Sequence, residues 1–199
     1  MDAVVASFWV EAAERLAARV THELKNPLNA AVINLEVVRT RAARQGTDPG
    51  ALVPYAEAAA GALERAVLLT EALLALARPV PAPVDLSAMV PPLAELYRAL
   101  VAPDGGTVDI ALPAVGGALV DADGDAVRLG LVTALDSAVA TPGEVRGGLE
   151  RSGNGWTVRL ETRGEPGPIA PPVRDALSPL GIEITAERRA VRVNVTGRG

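Results

Sequence analysis

The residues best suited to chemistry lie together in the stretch THELKNPLNA, at positions 21 to 30. His22 is the chain's one histidine, and a neutral imidazole is a nucleophile that can accept a phosphoryl group as a phosphoramidate and pass it on. Glu23 follows directly, so its carboxylate could hold the imidazole tautomer and take up the released proton. Asn26 comes one helical turn later and could orient a water molecule or a phosphoryl oxygen. The stretch therefore predicts a phosphoryl-accepting site.

The segment from about residue 5 to 45 must position these side chains, and its pattern predicts one long amphipathic helix. Apolar residues recur at alternating spacings of four and three, as in a coiled-coil seam: Leu16, Val20, Leu24, Leu28, Ala31, Leu35 and Val38. His22, Asn26 and Asn29 lie on a different face, so we expect them to form a solvent-facing polar stripe. Pro27 removes a backbone donor, which predicts a bend just beyond His22.

A second helix is predicted from residue 51 to 78, after a break at residues 46 to 50. Asp48 is placed to cap this helix, and Pro49 suits its first turn. Two helices joined by a short loop pack as an antiparallel hairpin. A lone hairpin leaves much apolar surface exposed, so we expect two chains to pair into a homodimeric four-helix bundle. The alternative cover for this surface is the chain's own C-terminal half.

The second half of the chain predicts a different fold class. Residues 79–84 form a proline-rich linker, because proline ends the second helix and favours extended backbone. Beyond it we expect strands near 107–112, 118–120, 144–151, 156–163, 182–186 and 190–195, and helices ending near 100 and covering 124–140 and 171–177. Such interleaving indicates an α/β sandwich, an antiparallel or mixed sheet covered by helices on one face. The predicted domains are therefore 1–78 and 85–199.

Composition excludes several functional classes. The sequence has 199 residues, a net charge of −5, one histidine and no cysteine, so thiolate and histidine-cluster metal sites cannot form within one chain. Its arginines are spread without basic runs, which argues against nucleic-acid binding. No apolar run approaches the roughly 18 residues of a membrane span, and the sequence does not open with the basic flank of a signal peptide. We therefore expect a cytoplasmic protein that binds neither nucleic acid nor membrane.

The stretch HELKNPLNA resembles the H box in the dimerisation and phosphotransfer domain of bacterial sensor histidine kinases. Residues 5 to 78 look like the complete helical hairpin of that domain. The resemblance implies that His22 carries the phosphoryl group, that Glu23 assists its transfer, and that Asn26 supports dephosphorylation of a partner response regulator. The alternative is an ordinary surface histidine on a helical bundle, since short motifs also match by chance.

The second half resembles the ATP-binding domain that follows this hairpin in histidine kinases, through VDLSAMV, DGGTVDIALP and VDADGDAVRLGLVTALDSAVATPG. The family's two nucleotide-site asparagines are replaced by Thr133 and Ser137. Its Asp-x-Gly-x-Gly box is replaced by ETRGEPG at residues 161 to 167, and its glycine-rich lid has no counterpart. The resemblance thus implies a kept fold with a degenerate nucleotide site and no ATP cofactor.

An intact phosphoacceptor helix beside a degenerate ATP site is similar to the dimeric histidine phosphotransferases of phosphorelays. That resemblance implies transfer between receiver-domain aspartates of response regulators through His22, with Mg²⁺ held by the receiver and no cofactor in this chain. The acidic pocket of a receiver should meet a partner-binding flank: Arg15, Arg19, Lys25 and Asn29. The alternatives are an ATP-dependent autokinase, and a non-catalytic pseudokinase scaffold or response-regulator phosphatase.

Overall fold

A computed structural model describes residues 3–46, 48–113 and 117–197. The helices are α1 (Ala3–Ala42), α2 (Val53–Ala77), α3 (Leu86–Val101), α4 (Gly124–Ala138) and α5 (Pro171–Leu177). The strands are β1 (Val84–Asp85), β2 (Thr107–Ala111), β3 (Leu119–Val120), β4 (Glu144–Ser152), β5 (Gly155–Thr162), β6 (Ile182–Glu187) and β7 (Ala190–Thr196). Residues 1, 2, 47, 114–116, 198 and 199 belong to predicted domains or to the predicted helix break but lie outside the described part.

The first half is the predicted helical hairpin. Helix α1 runs without interruption through Pro27, so the bend expected there remains a prediction. Asp48 accepts a hydrogen bond from the amide of Gly50 at 3.0 Å and caps a short 3₁₀ turn, Pro49–Leu52, that leads into α2. Because the chain reverses at this turn, α2 packs antiparallel to α1 along its length.

The second half is the predicted α/β sandwich. Its five strands lie in the order β2-β4-β5-β7-β6, and the sheet is mixed because β2 pairs parallel to β4 while the other pairs are antiparallel. Strand side chains alternate, so one face carries buried aliphatic residues and packs on α3 and α4. Strands β1 and β3 form a separate antiparallel pair. The fold class, a helical hairpin followed by an α/β sheet domain, is confirmed.

The two halves share one hydrophobic core. Val5, Trp9, Leu16 and Val20 on the first half of α1 are buried in the same cluster as the sheet and α4. The second half of α2 joins this cluster near Leu76. The chain's own C-terminal half therefore covers the base of the hairpin. This is the predicted alternative to cover by a second chain.

The remaining hairpin surface stays apolar and exposed. On α1 and α2 the exposed large side chains include Leu28, Val32, Ile33, Leu35, Leu63, Val67 and Leu68. Leu28 and Leu35 belong to the predicted seam, yet within a single chain they face solvent. A groove of about 290 Å³ runs between Leu24 and Leu28 of α1 and Leu63 and Val67 of α2. Along the predicted seam, Leu16, Val20 and Ala31 are buried, whereas Leu28 and Leu35 are exposed in this chain.

Arg128 of α4 fastens α2 to the second half. Its buried guanidinium donates to the carbonyls of Ala75, at 3.0 Å, and Leu76, at 3.1 Å, and to that of Arg78. These groups lie at the end of α2, where unpaired carbonyls carry the negative end of the helix dipole. The ring of Trp9 lies 5.6 Å from the same guanidinium, and burial lowers the Arg128 pKa. A single side chain thus joins α1, α2 and α4.

Candidate functional site

His22, Glu23 and Asn26 form one hydrogen-bonded group on the surface of α1. The imidazole is 76% exposed, whereas the Glu23 side chain is 17% exposed. One Glu23 oxygen, Oε1, lies 3.1 Å from His22 Nδ1, and the other, Oε2, accepts from the Asn26 amide at 2.9 Å. The carboxylate therefore links the two polar side chains.

Glu23 determines which imidazole nitrogen is available to a reagent. An ionised carboxylate only accepts hydrogen bonds. In the neutral ring, Nδ1 therefore carries the hydrogen and donates a hydrogen bond to Glu23. The lone pair then lies on Nε2, at the far side of an exposed ring. Asn26 occupies the second carboxylate oxygen and so restrains the orientation of Glu23. The group can present a nucleophile with an adjacent proton acceptor.

The four predicted partner-binding residues differ in their surroundings. Arg15 forms an ion pair with Glu11 at 3.9 Å, in which both side chains are largely exposed. Arg19 binds Asp136 of α4 at 2.9 Å. Lys25 and Asn29 are exposed on α1 near His22. The structure thus places all four on the surface of α1, and their role toward a partner stays a prediction.

Asp136 and Tyr97 are site neighbours that the sequence analysis missed. The Tyr97 hydroxyl, fully buried, donates to Asp136 Oδ1 at 2.8 Å, the same oxygen that binds Arg19. Burial, and then the Asp136 carboxylate, raise the pKa of Tyr97 well above its ordinary value. Arg19 and Asp136 are 117 residues apart, and neither belongs to a local motif that signals the contact.

The degenerate box at residues 161 to 167 packs against the end of α4. Ser137 Oγ donates to the carbonyl of Gly167 at 2.6 Å, and the Gly167 amide donates back to the Ser137 carbonyl at 2.8 Å. Thr141 likewise donates to the Glu165 carbonyl at 2.8 Å. The Ser137 hydroxyl, at a position where the resemblance to histidine kinases implies an asparagine, is thus bonded to the chain's own backbone.

The glycines of this box have a packing role. A Cβ at Gly164 would lie 2.4 Å from Thr141 Cγ2, and one at Gly167 would lie 2.7 Å from Ala140 Cβ. Both distances are below van der Waals contact, so any larger residue would force the segment away from α4. Close approach of backbone to helix is sufficient reason for glycine at both positions.

Neither a metal-ligand cluster nor a membrane-spanning helix occurs in the described part of the chain. Within residues 3–46, 48–113 and 117–197, no three His, Cys, Asp or Glu side chains come together as a possible metal site. No helix in this part of the chain has the length and apolarity to cross a membrane.

Comparison with known proteins identifies the hairpin. Residues 12–80, about a third of the chain, match the family model for the His Kinase A (phospho-acceptor) domain. The match contains His22, Glu23 and Asn26 together with α2. No protein of curated function matches the sequence.

Three solved structures are similar at low identity. A bacterial phosphotransferase gives a TM-score of 0.49 at 15% identity, covering 98% of this chain and 97% of that one. The histidine kinase AdeS of Acinetobacter baumannii gives 0.48 at 15%, covering 89% and 98%. The EL346 blue-light activated histidine kinase of Erythrobacter litoralis gives 0.46 at 18%, covering 91% and 62%.

The hairpin match and the fold together define the class of this protein. It is histidine kinase-like: a His Kinase A phospho-acceptor hairpin precedes an α/β sheet domain. The match supports a role in two-component signalling without separating a phosphotransferase from an autokinase.

Proposed function

We propose that this protein is a histidine phosphotransferase of a bacterial two-component phosphorelay. In this proposal His22 takes a phosphoryl group from an aspartate on one response-regulator receiver domain and hands it to an aspartate on another. The observation that carries the proposal is the Glu23 carboxylate, which binds His22 Nδ1 at 3.1 Å and the Asn26 amide at 2.9 Å. This group lies on the exposed face of a helix that matches the phospho-acceptor model.

The transfer step follows from the tautomer that Glu23 favours. His22 Nε2 attacks the phosphorus of the aspartyl phosphate, an N–P bond forms, and the bond from phosphorus to the aspartate oxygen breaks. The receiver carboxylate is the leaving group, and Glu23 takes up the Nδ1 proton. The reverse sequence loads the second receiver.

The partner is a receiver domain with an acidic pocket, and we expect that pocket to hold the Mg²⁺ of the reaction. The cationic flank of Arg15, Arg19 and Lys25 beside His22 supports this docking, because opposite charges steer association. Asn29 lies on the same exposed stripe and extends the contact surface. In this proposal the chain itself contributes no cofactor.

The residue types on α4 support the proposal that transfer does not use ATP. The family's asparagines are replaced there by Thr133 and Ser137, and Ser137 is bonded to Gly167. An autokinase would need these positions to bind nucleotide phosphates and magnesium. We therefore propose that ATP is not the phosphoryl donor.

A homodimer is part of the proposal. The apolar groove beside Leu28 and Val67 and its exposed neighbours would be buried if two hairpins formed a four-helix bundle. We further propose a cytoplasmic location, since the absence of cysteine fits a reducing compartment.

The test uses two labelled donors on the purified full chain. One is ATP, and the other is a set of receiver domains phosphorylated with labelled acetyl phosphate. The protein is used without a polyhistidine tag, because His22 is then the one histidine that can be labelled. His22→Ala is the control variant.

Each function gives a distinct outcome. Acid-labile label that arrives from a receiver and not from ATP, and disappears in His22→Ala, is the expected result. Label from ATP would establish an autokinase. Loss of receiver phosphate without label on the protein would establish a phosphatase, and no exchange with any receiver would leave a scaffold.

A further inference from the structure

Arg19 stands one helical turn before His22 on the same side of α1. Side chains three residues apart on a helix have Cβ atoms about 5–6 Å apart, so both can reach the same docked molecule. The Arg19 guanidinium, 47% exposed, is bound at one nitrogen, NH1, by Asp136 Oδ1 at 2.9 Å. A guanidinium carries five N–H donors, and the bond to Asp136 uses one of them.

The Asp136 carboxylate is itself held by a hydrogen bond from a buried side chain. The buried Tyr97 hydroxyl lies 2.8 Å from the same Oδ1 and 3.2 Å from the carbonyl of Val132, one turn earlier on α4. The Asp136 side chain is 38% exposed and belongs to a helix whose other side is packed in the core. The Asp136 carboxylate is therefore restrained in its orientation, and it restrains the Arg19 side chain in turn. An exposed arginine without such a partner would sample many rotamers.

We propose that Tyr97 and Asp136 are positioning residues that hold the Arg19 guanidinium beside His22, where its free N–H groups bind the oxygens of the incoming phosphoryl group. The inference rests on the proposed function. It gives the sheet domain a part in phosphotransfer that requires no nucleotide, because that domain orients a cation on the phosphoacceptor helix. Charge-assisted hydrogen bonds from a pre-oriented guanidinium stabilise phosphoryl oxygens as charge shifts between them.

The opposite role for Asp136 makes a contrary prediction. If Asp136 masked Arg19, its removal would free the cation and speed the reaction. If Asp136 positions Arg19, its removal slows the reaction although the site becomes more positive. Asp136→Asn separates the two, because it keeps the side-chain shape and removes the charge.

The first measurement uses phosphoramidate as donor, so that no receiver is needed. The P–N bond of phosphoramidate breaks, ammonia leaves, and an N–P bond forms at His22 with loss of one imidazole proton. The rate is followed against phosphoramidate concentration for the wild type, Arg19→Ala, Arg19→Lys, Asp136→Asn, Tyr97→Phe and the Arg19→Ala/Asp136→Asn double variant. Glu187→Gln is the matched control, because it breaks an exposed ion pair, to Arg192 at 2.8 Å, on the β6–β7 hairpin.

We expect Arg19→Ala and Asp136→Asn each to lower the maximal rate about tenfold, and Tyr97→Phe about threefold. The double variant should be no slower than Arg19→Ala alone, since Asp136 acts through Arg19. Arg19→Lys should restore part of the rate, and Glu187→Gln should match the wild type. Circular dichroism melts show that each variant is folded.

An unchanged or faster rate in Asp136→Asn, or additive losses in the double variant, would overturn the inference. The same variants are then assayed with phosphorylated receiver domains. If the wild-type chain reacts with phosphoramidate but exchanges with no receiver, the proposed phosphorelay function fails, while the positioning role is still decided by the first measurement.

Discussion

The Arg128 guanidinium donates a hydrogen bond to the carbonyl oxygen of Leu76, 3.1 Å away and 52 residues earlier in the chain. Leu76 lies in the last turn of α2 and Arg128 lies on the buried part of α4, so this bond joins the two halves of the molecule. The same guanidinium also donates to the carbonyls of Ala75 and Arg78. It therefore supplies hydrogen-bond donors to the carbonyl groups at the C-terminal end of α2. The helical hairpin is thereby joined to the sheet domain by hydrogen bonds from one side chain.

Replacing Arg128 with methionine should destabilise the fold. The substitution keeps much of the aliphatic volume but leaves three helix-end carbonyls without their donor. We expect the free energy of unfolding to fall by about 2–4 kcal/mol, because buried polar groups that lose a charged partner are costly. Urea denaturation followed by circular dichroism measures this change. Arg151→Met, on an exposed position of β4, should leave stability nearly unchanged, and equal effects of the two variants would contradict the prediction.

Glu23→Gln should slow phosphorylation of His22 by roughly 100-fold. Glutamine keeps an oxygen near Nδ1 but is a far weaker proton acceptor, so the imidazole proton is harder to remove. The initial rate with a phosphorylated receiver or with phosphoramidate reports the effect. Glu14→Gln, an exposed glutamate two turns earlier on α1, is the control. A rate within twofold of the wild type would exclude Glu23 as the base.

Val67→Glu should convert the proposed dimer into monomers. Val67 is 55% exposed and lines the groove between the hairpin helices, so a carboxylate there would be buried unpaired in a four-helix bundle. Sedimentation velocity gives the mass directly. Leu119→Glu is the matched control, because Leu119 is 56% exposed on β3 in the other half. A dimer that survives Val67→Glu would place the interface elsewhere.

Stability should decline in alkali because of Tyr97. Its pKa is raised in the folded state by burial and by Asp136. The unfolded chain therefore loses this proton first, and stability that is complete below about pH 10 falls as pH rises through the folded-state pKa. Urea midpoints between pH 8 and 11.5 test this expectation. Tyr97→Phe should flatten that decline, and an equally steep decline in the variant would assign it to other groups.

Gly167→Ala should cost about 1–3 kcal/mol of folding free energy, because the new methyl overlaps Ala140. Phosphotransfer at a temperature where the variant is folded should be unaffected. Thermal melts and the receiver assay together check both parts. Gly148→Ala has only ordinary contact distances around its methyl, so it should be tolerated. A stable Gly167→Ala variant would remove the packing explanation for this glycine.

The helices and most strands could be predicted because local signals repeat along the sequence. The spacing of leucines fixes α1 and α2, and Asp48-Pro49 marks the turn between them. In the second half, valine-rich runs separated by glycine and proline locate β2 to β7 within a residue or two. Strand β1 was not predicted, because Val84 was assigned to the proline-rich linker and its pairing with β3 is not a local signal. The hairpin and the sheet domain therefore needed no tertiary information.

The links between the halves could not be predicted, since they depend on pairs far apart in sequence. Arg19 belonged to an expected cationic flank, yet nothing local indicates that Asp136 binds it. Gly164 and Gly167 fall within the segment that replaces the family's Asp-x-Gly-x-Gly box, so the sequence gives no sign of their packing role. Their packing against Thr141 and Ala140 becomes visible only when α4 is placed in three dimensions.

The core that α1 shares with the sheet limits how this protein can be recombined. Trp9 and Leu16 are as much part of the second half's interior as of the hairpin. The proline-rich linker is the natural place to exchange domains between signalling proteins. A cut there would expose the apolar surface that the sheet domain buries against α1, and it would expose the apolar residues in the first half of α1. A working chimera must therefore inherit the phosphoacceptor helix and the sheet domain from one parent.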